Sequence, residues 1–75
     1  MHKRSVTIAG HATSVSIEDE FWDVLRQVAA QRQRSLNVLI REIDAGRTTN
    51  LSSAIRRYVL AELRRQLAER SRPRG

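Results

Sequence analysis

The stretch Ala12-Thr13-Ser14-Val15-Ser16-Ile17 decides the fold. Val15 and Ile17 alternate with Ser14 and Ser16, the two-residue period of a half-buried β-strand. Directly after it, Phe21, Trp22, Val24, Leu25, Val28 and Ala29 recur at helical spacing. One strand cannot satisfy its own backbone N–H and C=O groups, so this one requires a partner. The expected partner is the same strand of a second copy, paired across a two-fold axis. Ser5-Val6-Thr7-Ile8 is the other segment that can be extended, and an intrachain hairpin through residues 9–12 is the alternative. Val6 and Ile8 have even parity, whereas Val15 and Ile17 have odd parity. A continuous strand would therefore put the two pairs on opposite faces, and Ala9-Gly10-His11 is the natural break. On this reading residues 1–11 are an N-terminal arm.

The rest reads as helix. A first helix is expected from about Glu18 to Arg32, with Glu18, Asp19 and Glu20 complementing its positive end. After the turn Gln33-Arg34, Ser35 is a good N-cap, and Leu36, Leu39, Ile40 and Ile43 follow at i, i+3, i+4, i+7. Asp44-Ala45-Gly46 ends this second helix, with Gly46 expected just past it. Thr48-Thr49-Asn50 caps a third helix carrying Leu51, Ile55, Val59, Leu63 and Leu67 along one stripe, widened by Tyr58 and Leu60. The fold class is mainly α with one β-strand, a single domain over residues 12–70. Ser71-Arg-Pro-Arg-Gly75 has no apolar residue and is expected to be a disordered basic tail.

Composition narrows the function. With 75 residues and no Cys, the chain is small and has no disulfide or Cys-based zinc site to compensate. Oligomerisation is the remaining common remedy. The net charge is +6, and its ends are basic. Residues 1–17 carry Lys3 and Arg4 with no acid, and residues 51–75 carry seven Arg against Glu62 and Glu69. Such an excess favours nucleic acid, where neutralised phosphates release counterions. His2 and His11 both lie in the arm, and no nucleophile–base–orienter set, phosphate loop or metal-ligand spacing is present. The expectation is no enzyme, no metal and no cofactor. No run approaches the ~18 apolar residues of a membrane span, and no signal-peptide core follows Lys3-Arg4. A bacterial cytoplasm, on the nucleoid, is the expected location.

Three motifs in order carry a family resemblance: Thr13-Ser-Val-Ser-Ile17, Phe21-Trp-Asp-Val-Leu25 and Arg34-Ser-Leu-Asn-Val-Leu-Ile40. Together they resemble the ribbon-helix-helix family of Arc/MetJ-type DNA-binding proteins. Lys3-Arg-Ser-Val6, Gly10-His11, Glu20-Phe-Trp22 and Asn50-Leu-Ser-Ser-Ala54 are similar to a small alphaproteobacterial branch of it. The resemblance covers about residues 3–62. It implies a homodimer whose strands pair antiparallel and whose first two helices interlock. Val15, Ile17, Trp22, Leu25, Val28, Leu36, Leu39 and Ile40 would form the shared core. It also implies that Ala12, Ser14 and Ser16 face the major groove of double-stranded DNA, with His11 nearby. Arg34, Ser35 and Asn37 at the second helix's start, and Lys3 and Arg4 of the arm, would then grip phosphates.

The chain departs from the family's pattern twice. Its ribbon offers Ser and Ala where long polar side chains are usual, and Ser discriminates bases less than Arg, Asn or Gln. Gln33 stands where the interhelical turn commonly has Gly, and a positive φ there would be strained. Bland roles compete with the sharp ones. Ser16 could cap the first helix through a Ser16-x-x-Asp19 box, and Ser14 could simply be a solvated polar residue. Ser35 can cap and bind phosphate at once. The third helix, an addition to the minimal fold, is extra core, a widening of the dimer, or a basic membrane-surface helix. The resulting expectation is a repressor-like transcriptional regulator. The alternative is a protein-interaction module, antitoxin-like or an adaptor dimer, that binds a protein partner through the third helix.

Overall fold

A computed structural model describes residues 2–71. The order is β1 (His2–Ile8), β2 (His11–Ile17), α1 (Asp19–Gln31), α2 (Leu36–Gly46) and α3 (Leu51–Arg70). The first correction to the sequence reading is at the N-terminus. Residues 2–8 are a strand rather than part of an arm, and β2 pairs antiparallel with β1 of its own chain. The register runs from His2 opposite Ile17 to Ile8 opposite His11. Every pair joins an even residue of one strand to an odd residue of the other. The mismatch in parity between Val6 and Val15 is thus what a two-residue hairpin requires, because partners directly opposite share a face. Ala9 and Gly10 make the turn with φ of 51° and 82°. Positive φ at both central residues is the turn whose twist matches that of the strands.

Val6, Val15 and Ile17 consequently point the same way, into a core completed by Trp22, Leu25, Val28, Ala29, Leu39, Ile40, Leu51, Ile55 and Val59. β1 lies against α2 and β2 against α3, while α3 packs on both other helices. Of the residues expected in a core shared by two chains, all but Leu36 are buried within the single chain. Val6, Leu51, Ile55 and Val59 close the core from the added elements, so one chain buries its own apolar face.

Helix ends follow local chemistry. Glu18 is the N-cap of α1 and makes no side-chain cap bond, so the Ser16-x-x-Asp19 box does not form. At the other end the Gln33 amide donates to the Ala30 carbonyl and the Arg34 amide to the Ala29 carbonyl, closing a Schellman motif. Gln33 holds the left-handed position at φ 56°, the strained conformation that the missing Gly implies. The Oγ of Ser35 accepts from the Val38 amide at 3.1 Å, and the Oδ1 of Asn50 from the Ser53 amide at 2.8 Å. Gly46 is the last residue of α2 rather than the residue beyond it, and extended Arg47 is the C-cap. Ser71 caps α3; the rest of the expected basic tail lies outside the described residues.

Candidate nucleic-acid interface

The hairpin has two chemically distinct faces. On the core side lie His2, Arg4, Val6 and Ile8 with His11, Thr13, Val15 and Ile17. On the other, Lys3 stands opposite Ser16, Ser5 opposite Ser14 and Thr7 opposite Ala12. This outward row is exposed apart from half-buried Ser16. It offers hydroxyls and one ammonium, with no side chain larger than a methyl among its apolar members. Ser14, Ser16 and Ala12 therefore share one surface, as the sequence parity requires. His11 belongs to the opposite face, at the turn end, and is exposed there.

Arg4 differs from Lys3 in the same way. Its Nη2 donates to Asp19 Oδ1 at 2.9 Å, and its guanidinium carbon sits 4.8 Å from the centre of the Trp22 ring. His2 Nδ1 meets the same carboxylate oxygen at 2.7 Å. The bond from His2, and then that from Arg4, holds the Asp19 carboxyl below its ordinary range against the opposing effect of partial burial. Arg4 is thus engaged in fastening the open end of the hairpin to α1, and is turned away from the outward row. Beside it, Arg56 Nε donates to Glu18 Oε1 at 2.8 Å and lowers that carboxyl too.

The second half of the surface is the start of α2. Ser35, Asn37 and Arg34 are all exposed there, next to amides that lack intrahelical partners. The hairpin tip reaches this end, so that Thr7, Ala9 and Gly10 share a shallow groove with Asn37, Val38 and Arg41. Arg34 Nη1 is paired with Glu42 about two turns along α2, whereas Arg41 makes no ion pair among the described residues. Arg41, Ser5 and Thr7 are the members of this surface that sequence reasoning missed. The signal for Arg41 was its position one turn after Asn37 on the same helical face. Ser5 and Thr7 needed the hairpin.

The hairpin, the two helices behind it and the first part of α3 fall within a match to the family described as ribbon-helix-helix domain, which covers residues 1–63. The chain belongs to the ribbon-helix-helix domain family. Comparison with curated proteins and with solved structures gave no match. Ribbon-helix-helix membership is membership of a non-catalytic DNA-binding fold, in agreement with the expectation of no enzyme. The described residues contain no group of three His, Cys, Asp or Glu placed to hold a metal. No helix of the described residues is long and apolar enough to cross a membrane.

Proposed function

We propose that this ribbon-helix-helix protein binds duplex DNA as a homodimer and acts as a repressor-like transcriptional regulator in a bacterial cytoplasm. The observation that carries the reading is the outward hairpin row of Lys3, Ser5, Thr7, Ala12, Ser14 and Ser16, set beside the capped start of α2. Among the described residues the two-stranded sheet leaves β2 one edge without a strand partner. That edge carries small side chains only on its outward face, with no charge or Pro to block pairing. Two copies joining there antiparallel would put Ser14 and Ser16 of both chains at the centre of the DNA-facing surface. Strand spacing of about 4.8 Å makes the central pair of strands fit a major groove about 12 Å wide. Four strands side by side exceed it, so each β1 would lie over the flanking backbone, where Lys3 meets phosphate. Ser35, Asn37 and Arg41 would grip the backbone beyond the hairpin tip.

The roles separate in a binding experiment. Lys3→Ala should weaken binding to every duplex alike and flatten the dependence of log K on log salt by about one unit. Ser14→Ala should change the ratio of affinities between the protein's own promoter region and random duplex. Equal losses on all duplexes for both changes would defeat this assignment. The exposed leucines of α3 favour a second reading, a protein-interaction module. Its signature is a dimer that is indifferent to DNA at low salt and binds a protein stoichiometrically.

A further inference from the structure

Leu60, Leu63 and Leu67 are 54%, 43% and 64% exposed, the large apolar side chains that the described fold leaves uncovered. Leu60 and Leu67 are two turns apart, about 10 Å along α3, with Leu63 between them. Leu63 also walls a groove between α1 and α3, together with Phe21, Val24 and Val59. The groove has a volume of about 200 Å³. That is smaller than the roughly 300–1,000 Å³ of small-molecule pockets, and suits side chains inserted from a partner. A ridge of leucines at helical spacing beside an apolar groove is the kind of surface that an amphipathic helix covers.

The surrounding charges define the helix that fits. Arg57, Arg64 and Arg70 stand three or four residues from Leu60 or Leu67, hence beside the ridge. All three are exposed and make no ion pair among the described residues. The acids of α3 are already engaged, Glu62 by Arg32 and Arg65, and Glu69 by Arg65 at 2.8 Å. Unmatched positive charge therefore borders the ridge, while Glu20 of α1 stands at the far rim of the groove. A second copy of α3 would set arginine against arginine, and DNA phosphates would leave the leucines unmatched. We propose that α3 docks an acidic amphipathic helix of a different protein. The apolar face of that helix lies on Leu60, Leu63 and Leu67, and its carboxylates meet Arg57 and Arg64. A basic or neutral residue toward Glu20 sets its direction. This rests on the protein-interaction reading of α3 above and gives it a partner of defined chemistry; it is independent of DNA contact and of strand pairing at β2.

The test is fluorescence anisotropy on the full chain with two labelled synthetic helices of about 18 residues. Both carry Leu and Phe at i, i+3, i+4 and i+7; one has Glu along its flanks and the other Lys. The Glu helix should bind the wild type with a Kd in the micromolar range, about tenfold or more tighter than the Lys helix. Leu60→Ser with Leu67→Ser should weaken that binding by about tenfold or more. Arg57→Glu with Arg64→Glu should reverse the preference between the two helices. All four positions are exposed, and circular dichroism verifies that helix content is kept. No binding of the Glu helix, a leucine variant that binds it as well as the wild type, or a preference that survives charge reversal would each overturn the proposal. So would sedimentation showing that the leucine substitutions break a dimer, or adsorption of the wild type to phosphatidylglycerol vesicles through the same leucines. Duplex DNA affinity of the leucine variant, expected to equal that of the wild type, is measured alongside. Peptide binding without DNA binding supports this surface while overturning the DNA-binding reading, and the reverse result does the opposite.

Discussion

Two non-glycine residues carry positive φ, Ala9 at 51° and Gln33 at 56°. Left-handed backbone costs an ordinary L-residue about 1 kcal/mol. Asn tolerates it, and Asn-Gly is the preferred central pair of this hairpin turn. Ala9→Asn should therefore raise unfolding stability by about 0.5–1 kcal/mol, and Gln33→Gly by about 1 kcal/mol. For a domain this small the first corresponds to a rise of roughly 2–8 °C in Tm and the second to roughly 4–8 °C, read at fixed protein concentration. Gly10→Ala should do the reverse: the space around it is open, but its φ of 82° is not one that Ala adopts readily. Asp19 adds a pH dependence. Its folded carboxyl releases its proton more readily than the unfolded one, because His2 and Arg4 stabilise the anion. The stabilisation is complete above the ordinary carboxyl range and is lost as pH falls through the lowered folded value. Denaturant midpoints measured between pH 6 and pH 2 should fall less steeply in Asp19→Asn than in the wild type.

At the scale of elements, the hairpin and α3 behave differently. The hairpin is held by Val6, Val15 and Ile17 in the core and by the Asp19 contacts at its open end. Arg4→Ala should loosen that end, seen as faster amide exchange in β1, with little effect on the salt dependence of DNA binding. Lys3→Ala should show the opposite pattern. The start of α3 depends on a single side-chain cap, and Asn50→Ala should cost about 1 kcal/mol in a thermal melt. Glu62 invites a larger estimate than it merits. Removing one partner of a fully buried ion pair costs about 3–5 kcal/mol. Here, however, Arg32 and Arg65 are 42% and 50% exposed and regain water when the carboxylate is lost. Glu62→Leu, which fills the same space, should be nearly neutral in stability, while Glu62→Ala should be measurably destabilising.

Over the whole molecule, chemistry is sorted by direction. The body is 48 Å long and half as wide. One surface combines hydroxyls, Lys3 and the start of α2, and another presents Leu60, Leu63 and Leu67. The first suits a polyanion and the second does not, since phosphates leave apolar side chains unmatched. Association with DNA and association with a second copy should therefore be separable. Raising salt should weaken DNA binding steeply while leaving a dimer joined by backbone pairing intact, a contrast readable in one sedimentation series.

Three helices, their caps at Ser35 and Asn50, and most of the core could be read directly from the sequence, because helical periodicity and capping are local properties. Ser14 and Ser16 could likewise be placed on one face by parity alone. The same parity also contained the hairpin. Even Val6 and odd Val15 are compatible with a break or with a two-residue turn, and both leave local patterns unchanged. Only tertiary packing distinguishes them, by burying Val6 and Val15 together, β1 against α2 and β2 against α3. Packing likewise decided the fate of two arginine-or-lysine neighbours: Lys3 faces out, while Arg4 lies over Trp22 and on Asp19, fifteen residues away. Leu63 and Leu67 follow the stripe of Ile55 and Val59 in sequence yet stay exposed. Each step of four residues advances about 40° round the helix, so Glu62 and Gln66 take the face turned to α1 and the leucines are carried off it, a consequence of how α3 is seated in the whole fold.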